Sequence, residues 1–296
     1  MRRRVLGAAL GGWALSRHGA LGALMAGLPP DTPEARVDPN RPQSPWAGVV
    51  AVRVLDGVYS GALVHRRAVL TAAHVAGGRP AAEVTVQFNA GPEPVMAAVE
   101  QVHVHPRFTG VARPFMFHDV ALLVLAQDAP AGVPVYRPHR RALTAGARLL
   151  LVGYGGSGAG DAGPTVPGSA RVKRVGENRA DRFVPDPERP NLPALFLYDF
   201  DGPDEASNRM GGSTLGNHRE TSAAGGDSGA PAFVAAGEFP QLAGVLTFTT
   251  DWGARGTPMS TFGASGGGVL VASVLDWLDP LLAAAGTAPT ADPGTK

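Results

Sequence analysis

The chain has 296 residues, of which 44% are hydrophobic and 17% charged, and it contains 40 glycines, 27 prolines and no cysteine. This composition is typical of many turns between short strands, and it favours a large all-β sandwich or barrel over a helical bundle. A formal net charge of +1 gives no electrostatic reason to expect nucleic acid as a partner. Without disulfides, the stability of the fold must come from its core.

The amino terminus has the pattern of a targeting segment. Arginines at 2–4 precede an apolar stretch over 5–15, which predicts a signal peptide or leader over residues 1–27, with cleavage after Ala26 as one option. This predicts a secreted or periplasmic protein with no membrane attachment after processing. A basic tail, or a start assigned too early, is the alternative. Residues 28–44 are rich in proline and polar side chains, which predicts a linker or propeptide.

Two sets of predicted strands follow, one within residues 45–135 and the other within 142–284. Their apolar stretches cover 48–55, 58–64, 68–71, 84–88, 95–104, 120–125, 148–153, 170–175, 194–198, 231–235 and 242–249. Apolar residues at helical spacing predict a terminal helix over 269–282. The residues after it, 285–296, are predicted to be a disordered tail.

One glycine-rich heptapeptide, residues 225–231, carries a serine suited to nucleophilic attack. Glycines beside Ser228 permit a tight turn that exposes its hydroxyl and brings backbone N–H groups to one point. Such a serine needs a base, and His74 in LTAAHV and Asp119 in HDVALL lie upstream. A lone histidine is more often structural and a lone aspartate more often a turn residue. The hypothesis therefore depends on all three contexts together.

The main rival interpretation of this string is the α/β-hydrolase elbow G-x-S-x-G. Ala230 stands where that elbow needs its second glycine, and no histidine follows Ser228 in the chain. Both observations exclude the standard esterase arrangement, in which acid and histidine come after the serine.

The order His74, Asp119, Ser228 and the three short contexts resemble the trypsin-like serine peptidase family, in the form of a disulfide-free bacterial-type member. Over residues 45–284 the resemblance implies two antiparallel six-stranded β-barrels, with the active site between them and a C-terminal helix. It implies His74 as general base, Asp119 as its orienting carboxylate and Ser228 as nucleophile. The N–H groups of Gly226 and Ser228 would form the oxyanion hole.

The same resemblance implies peptide-bond hydrolysis through an acyl-enzyme, on a protein or peptide substrate, by a monomer without cofactor or metal. Two alternatives stay open. One is a catalytically silent binding module on the same fold. The other is an esterase that uses the same triad.

Four residues are candidates for substrate binding by their positions in the family pattern. Counting back from Ser228 places Ser222 at the base of the primary pocket, and Thr249, where many relatives have glycine, would narrow the pocket wall. Phe248, directly before it, is a further substrate-binding candidate. Thr247 stands where relatives carry a serine that hydrogen-bonds the catalytic aspartate. Because none of these side chains is charged, we expect a neutral, small-to-medium side chain on the acyl side of the cleaved bond, the P1 position.

Asp227 resembles the aspartate that, in activated relatives, pairs with a newly cut amino terminus. Cleavage after Arg36 would expose Val37 for that role, and the alternative is a constitutive enzyme in which Asp227 finds an internal donor. The acidic stretch 199–205 favours a solvated turn over a calcium site, because its spacing lacks a full coordinating loop. The basic residues of 171–174 are predicted to be exposed.

Overall fold

The computed structural model describes residues 24–111, 115–236, 239–250 and 256–287. The predicted leader therefore lies largely outside the described residues, as do residues 288–296 of the predicted tail. Within the described part of the chain, none of the helices combines the length and apolar character that a membrane span requires.

The first half is a closed six-stranded antiparallel barrel, as the family resemblance implied. Its strands follow the order β2-β3-β4-β7-β6-β5 around the barrel. They are β2 (Val49–Val54), β3 (Gly57–His65), β4 (Ala68–Thr71), β5 (Val84–Phe88), β6 (Val95–Val104) and β7 (Ala121–Leu125). Branched and aromatic side chains from these strands fill the barrel interior, where Val52, Val86 and Phe88 are fully buried.

The second half is an eight-stranded sheet with the order β1-β9-β8-β12-β13-β14-β11-β10. Its strands are β1 (Val37–Asp38), β8 (Ala147–Gly153), β9 (Lys173–Ala180), β10 (Arg182–Pro185), β11 (Pro193–Asp199), β12 (Pro231–Ala236), β13 (Phe239–Thr250) and β14 (Ser265–Leu270). Only Asp181 separates β9 from β10, so these two strands form one continuous segment. This segment pairs with β8 through β9 and with β11 through β10, which brings the two ends of the sheet together as a second barrel. The barrel has six segments, because β9 and β10 count as one, and β1 is added at the edge of β9.

Two helices complete the fold. The short α1 (Ala73–Ala76) follows β4, and α2 (Leu275–Thr287) begins later than the predicted helix because β14 and a 3-10 turn, Val271–Ser273, occupy its first residues. The prediction of a disordered tail from residue 285 was wrong at its start. Ala285 lies in α2, one helical turn beyond Leu281 and Leu282, and is buried in the core shared by the two barrels.

The segment before the first barrel is packed and not a free connector. Leu24, Met25 and Ala26, at the end of the predicted leader, are fully buried against the second barrel, and β1 lies within the predicted linker 28–44. Sequence patterns missed this because the buried apolar residues are three in a row and the remaining contacts are single hydrogen bonds and ion pairs, so the segment has no periodic apolar face.

The prediction that residues 171–174 are exposed was wrong for two of its basic residues. Lys173 is fully buried and Arg174 is buried. Lys173 Nζ lies 3.0 Å from a carboxylate oxygen of Asp38 and donates to the carbonyl of Trp46 at 2.8 Å. Burial lowers the pKa of Lys173, while the adjacent Asp38 carboxylate favours its charged form. The amino-terminal segment thus supplies the partner that makes a buried lysine tolerable.

Candidate active site

His74 lies between the two residues that were predicted to work with it. It stands in α1, directly after β4, where the small Ala72 and Ala73 are fully buried and allow the turn to pack closely. Its Nδ1 lies 2.7 Å from Asp119 Oδ2, and its Nε2 lies 2.8 Å from Ser228 Oγ. The imidazole can therefore accept the serine proton at Nε2 while Nδ1–H donates to the carboxylate.

Asp119 is fully buried immediately before the apolar strand β7. Besides the ring contact, its Oδ1 accepts the backbone N–H of His74 at 2.8 Å, so both carboxylate oxygens serve the same histidine. The expected partner Thr247 does not reach it: the Thr247 hydroxyl is buried and makes no hydrogen bond among the described residues. The backbone N–H of His74 takes the place of that hydroxyl as second donor.

The residue before the aspartate has an unusual backbone that a second-barrel loop supports. His118 has a φ of 56°, in the left-handed region that non-glycine residues rarely adopt. Its Nε2 lies 3.1 Å from Asp186 Oδ2, and its ring stacks on His105 with centroids 4.8 Å apart. Sequence reasoning missed this group because Asp186 comes from the loop between β10 and β11, far along the chain.

Ser228 stands in a turn with one glycine two residues before it and another directly after it, both in a backbone conformation that favours glycine. Gly226 and Gly229 have φ values of 93° and 82°. A Cβ on Gly229 would lie 2.2 Å from the carbonyl oxygen of Ser60, so the turn contacts the first barrel without any side chain between them. Ala230 replaces the second glycine usual in the family, and its methyl fits without exposure because Gly153 opposite has no Cβ.

The two predicted oxyanion donors, the N–H groups of Gly226 and Ser228, lie in the same turn as the Ser228 hydroxyl. Within the described residues, neither the N–H of Gly226 nor that of Ser228 donates to a protein acceptor. The Gly226 carbonyl accepts from Ser60 Oγ at 3.2 Å, and the Ser228 carbonyl accepts the Ser60 N–H at 3.0 Å. Ser60 therefore binds the carbonyl groups of this turn, while the two N–H groups have no protein acceptor among the described residues. No local motif marks Ser60 as part of the site.

Asp227 finds internal donors in the intact chain. Its Oδ1 accepts the N–H of Gly155 and its Oδ2 the N–H of Ala224, each at 3.0 Å. Burial raises the pKa of the Asp227 carboxyl to about 7, against the two backbone donors and the more distant Arg174, which lower it. This geometry supports the constitutive alternative over activation by a cut amino terminus.

A cavity of about 420 Å³ opens beside Ser228. Of the four predicted substrate-binding residues, Thr247, Phe248 and Thr249 line the cavity. Ser222 is fully buried and is not part of the lining, whereas the next two residues in the chain, Ala223 and Ala224, are. The lining comprises Pro164, Ala223, Ala224, Gly225, Asp227, Ser228, Leu246, Thr247, Phe248, Thr249, Met259 and Ser260. Sequence reasoning missed Pro164, Met259 and Ser260, which lie on loops without a motif.

The acidic stretch 199–205 is only partly the solvated turn that was predicted. Asp204 and Glu205 are exposed, whereas Asp199 and Asp201 are buried, together with Glu220 and close to Asp181. Burial and the neighbouring carboxylates Glu220 and Asp199 raise the pKa of Asp201 to about 7, and burial likewise raises the pKa of Glu220. In the described part of the chain, no group of three or more histidine, cysteine or acidic residues is placed to hold a metal ion.

Comparison with known families accords with this geometry. Residues 36–277, which are more than half of the chain, match the family described as Trypsin. A search of curated proteins found no significant match. With a closed six-stranded barrel, a second sheet, a C-terminal helix and this match across both halves, the chain belongs to the trypsin family of serine peptidases.

Proposed function

We propose that this protein is a serine endopeptidase that hydrolyses peptide bonds through an acyl-enzyme. The observation that carries the proposal is the continuous hydrogen-bonded path from Asp119 through His74 to Ser228, at 2.7 and 2.8 Å. This path supports an active enzyme against the alternative of a silent binding module, since a module without catalysis has no need for it.

In the proposed mechanism, Ser228 Oγ attacks the substrate carbonyl while His74 Nε2 takes its proton. Asp119 accepts from His74 Nδ1–H, fixes the tautomer and stabilises the imidazolium. The N–H groups of Gly226 and Ser228 bind the oxyanion. His74 then gives the proton to the leaving amine, and a water activated by the same imidazole hydrolyses the acyl-enzyme and regenerates the Ser228 hydroxyl.

We further propose a neutral, small-to-medium P1 side chain. The cavity wall combines alanines with Leu246, Phe248 and Met259, and its one ionisable side chain, Asp227, has both oxygens engaged by backbone donors. A cationic substrate side chain would thus find no available carboxylate in the described wall, whereas an apolar side chain would gain from burial. The described wall contains no cationic side chain that could bind an acidic P1 residue.

We also propose that the protein is exported and acts as a monomer. The arginines at 2–4 and the apolar residues 5–15 support a secretory route, and both barrels that form the site come from one chain, so no second copy is needed to complete it. Protein or peptide substrates would be the only partners, with no cofactor. Fractionation of the producing cell, with a cytosolic marker as control, tests the export proposal: retention in the cytosol contradicts it.

A substrate panel tests the proposed activity and its specificity together. We expect Ser228-dependent cleavage of peptide amides with alanine, valine or leucine at P1, and weak cleavage after arginine, lysine or aspartate. Matched esters separate peptidase from esterase action, because an esterase would hydrolyse the esters and leave the amides intact. Strict cleavage after arginine or lysine would contradict the pocket assignment and leave the triad assignment standing.

A further inference from the structure

The packed amino-terminal segment, residues 24–36, contacts the part of the chain that leads into the nucleophile turn. The Met25 N–H donates to the carbonyl of Ser222 at 2.9 Å, and the Thr221 hydroxyl donates to the carbonyl of Met25 at 2.6 Å. Further along, the Leu28 N–H donates to the carbonyl of Asn217 at 3.0 Å. We call residues 24–36 the N-terminal clamp, because it holds residues 217–222 by several hydrogen bonds at once.

Arg36 closes the other end of the clamp. Its Nη2 donates to the carbonyls of Glu220 and Arg219 at 2.8 and 3.1 Å and pairs with Asp31 at 2.5 Å, with both ion-pair side chains buried. A buried, bidentate arginine of this kind is costly to disrupt, because a lost partner leaves a desolvated charge. A cut after Arg36 would separate this anchor from the rest of the chain.

Met25 connects the clamp to the cavity and to the oxyanion turn. Its fully buried side chain packs with Ala224 and Phe200. Ala224 lines the cavity beside Ser228, and its N–H is one of the two donors that hold Asp227. A substitution at Met25 would therefore disturb Ala224 in the cavity wall directly. Through the Ala224 N–H it would also disturb Asp227 in the turn that carries Ser228.

The residue after Arg36 is engaged as well. Val37 pairs with Arg174 in β1, and the Val175 N–H donates to the carbonyl of Arg36 at 2.9 Å. To serve as a new amino terminus for Asp227, Val37 would have to leave this strand, while Asp227 already has two backbone donors.

We propose that the N-terminal clamp is a positioning segment retained in the active enzyme, which holds the wall behind the primary cavity, so that cleavage after Arg36 lowers activity. This inference rests on the proposed peptidase function. It places any leader cleavage upstream of Leu24, because cleavage after Ala26 would remove the buried Met25.

Substitutions in the full chain test the clamp. We expect Met25→Ala to lower kcat/KM at least about tenfold, mainly through KM, and to speed amide exchange over residues 217–225. Met25→Leu preserves the volume and should restore both properties. The matched control is Leu125→Ala, which removes as many side-chain atoms from the first barrel and should leave KM and this exchange unchanged. Equal effects of Met25→Ala and Leu125→Ala on KM and exchange would overturn the proposal.

The amino terminus of the active species provides the second test. The full chain is expressed and labelled with a fluorophosphonate, and the labelled protein is digested and its first peptide identified by mass. We expect labelled molecules to retain Leu24 through Arg36; labelled molecules that begin at Val37 would overturn the clamp. Absence of labelling in every form would count against the peptidase function, and the exchange comparison would then decide the clamp by itself.

Discussion

Ser60 donates its backbone N–H to the carbonyl of Ser228 at 3.0 Å, and this bond joins the first barrel directly to the turn that carries the nucleophile. The contact is close because Gly229 follows, with its Cα facing the carbonyl oxygen of Ser60 and the hydroxyl of Thr71. The close approach of the Ser228 turn to the first barrel therefore depends on the absence of a side chain at Gly229.

Gly229→Ala should be among the most damaging single changes in this chain. The added Cβ would lie 2.2 Å from both the Ser60 oxygen and Thr71 Oγ1, at a φ of 82° that alanine rarely adopts. We expect a loss of at least about 3 kcal/mol in the free energy of unfolding, and loss of activity. The control is Ala230→Gly, which removes one buried methyl and should cost about 1 kcal/mol with activity retained. Urea unfolding measures the stability of both variants, and peptide hydrolysis measures their activity. A well-folded, active Gly229→Ala enzyme would contradict the close contact of Gly229 with Ser60 and Thr71.

Thr247→Val should be tolerated. Because the buried Thr247 hydroxyl has no partner among the described residues, replacing it with a methyl removes an unsatisfied polar group, and we expect stability to stay equal or rise by about 1 kcal/mol. Catalysis should change by less than about threefold, since Asp119 is held by His74 instead. Thr221→Val is the contrasting variant: it breaks the bond to Met25 and should cost about 1 to 3 kcal/mol. A large fall in kcat for Thr247→Val would mean that its hydroxyl does serve the triad during turnover.

Asp119→Asn should abolish most catalysis while the fold survives. The amide keeps the shape of the carboxylate but favours the wrong tautomer of His74, for which a loss of about 10⁴-fold in kcat is typical. Asp128→Asn, at an exposed position beyond β7, serves as the matched control and should be unaffected. Circular dichroism verifies the fold, and a rate within about tenfold of wild type would exclude Asp119 from the proposed role.

Stability should fall as pH rises from the acidic to the alkaline side of neutrality. Burial and the nearby Glu220 and Asp199 charges raise the pKa of Asp201 to about 7, and burial also raises the pKa of Asp181 and of Glu220. These carboxyls bind protons in the folded state that the unfolded chain has released above about pH 4. The stability linked to them is therefore fully present below about pH 4 and is lost as pH rises through about 7.

The free energy of unfolding, measured in urea at about pH 5.5 and about pH 8.5, checks this sign. We expect lower stability at the higher pH, and a smaller difference in Asp201→Asn because one of the titrating groups is gone. Greater stability at the higher pH in the wild type would contradict the assignment of raised pKa values to this cluster.

The two-barrel fold and the residues of the proposed triad could be predicted from the sequence, because short local motifs carry the resemblance to the family. His74, Asp119 and Ser228 each lie in a short context whose small or apolar neighbours shape the local turn or strand. The burial of Lys173 was not accessible, because it depends on Asp38, which pairs with it only after β1 joins the edge of the second sheet.

The cavity wall was predicted in part. Thr247, Phe248 and Thr249 follow from their place in one strand, β13, beside the nucleophile turn. Ser222 stays a prediction: counting back along the chain fixes its position, but the residues that line the cavity are the next two, Ala223 and Ala224. The N-terminal clamp lacked any sequence signal, since its contacts with 217–222 combine backbone hydrogen bonds with isolated bonds from Thr221 and Arg36 side chains, which form no periodic pattern.

Covalent labelling with a fluorophosphonate, read out by the mass of each digested peptide, tests the central claim most directly. We predict one adduct per folded chain, located on the peptide that contains Ser228, and no adduct in Ser228→Ala. Folded wild-type protein that takes up no label, or an adduct on another residue that persists in Ser228→Ala, would contradict the assignment of Ser228 as the activated nucleophile.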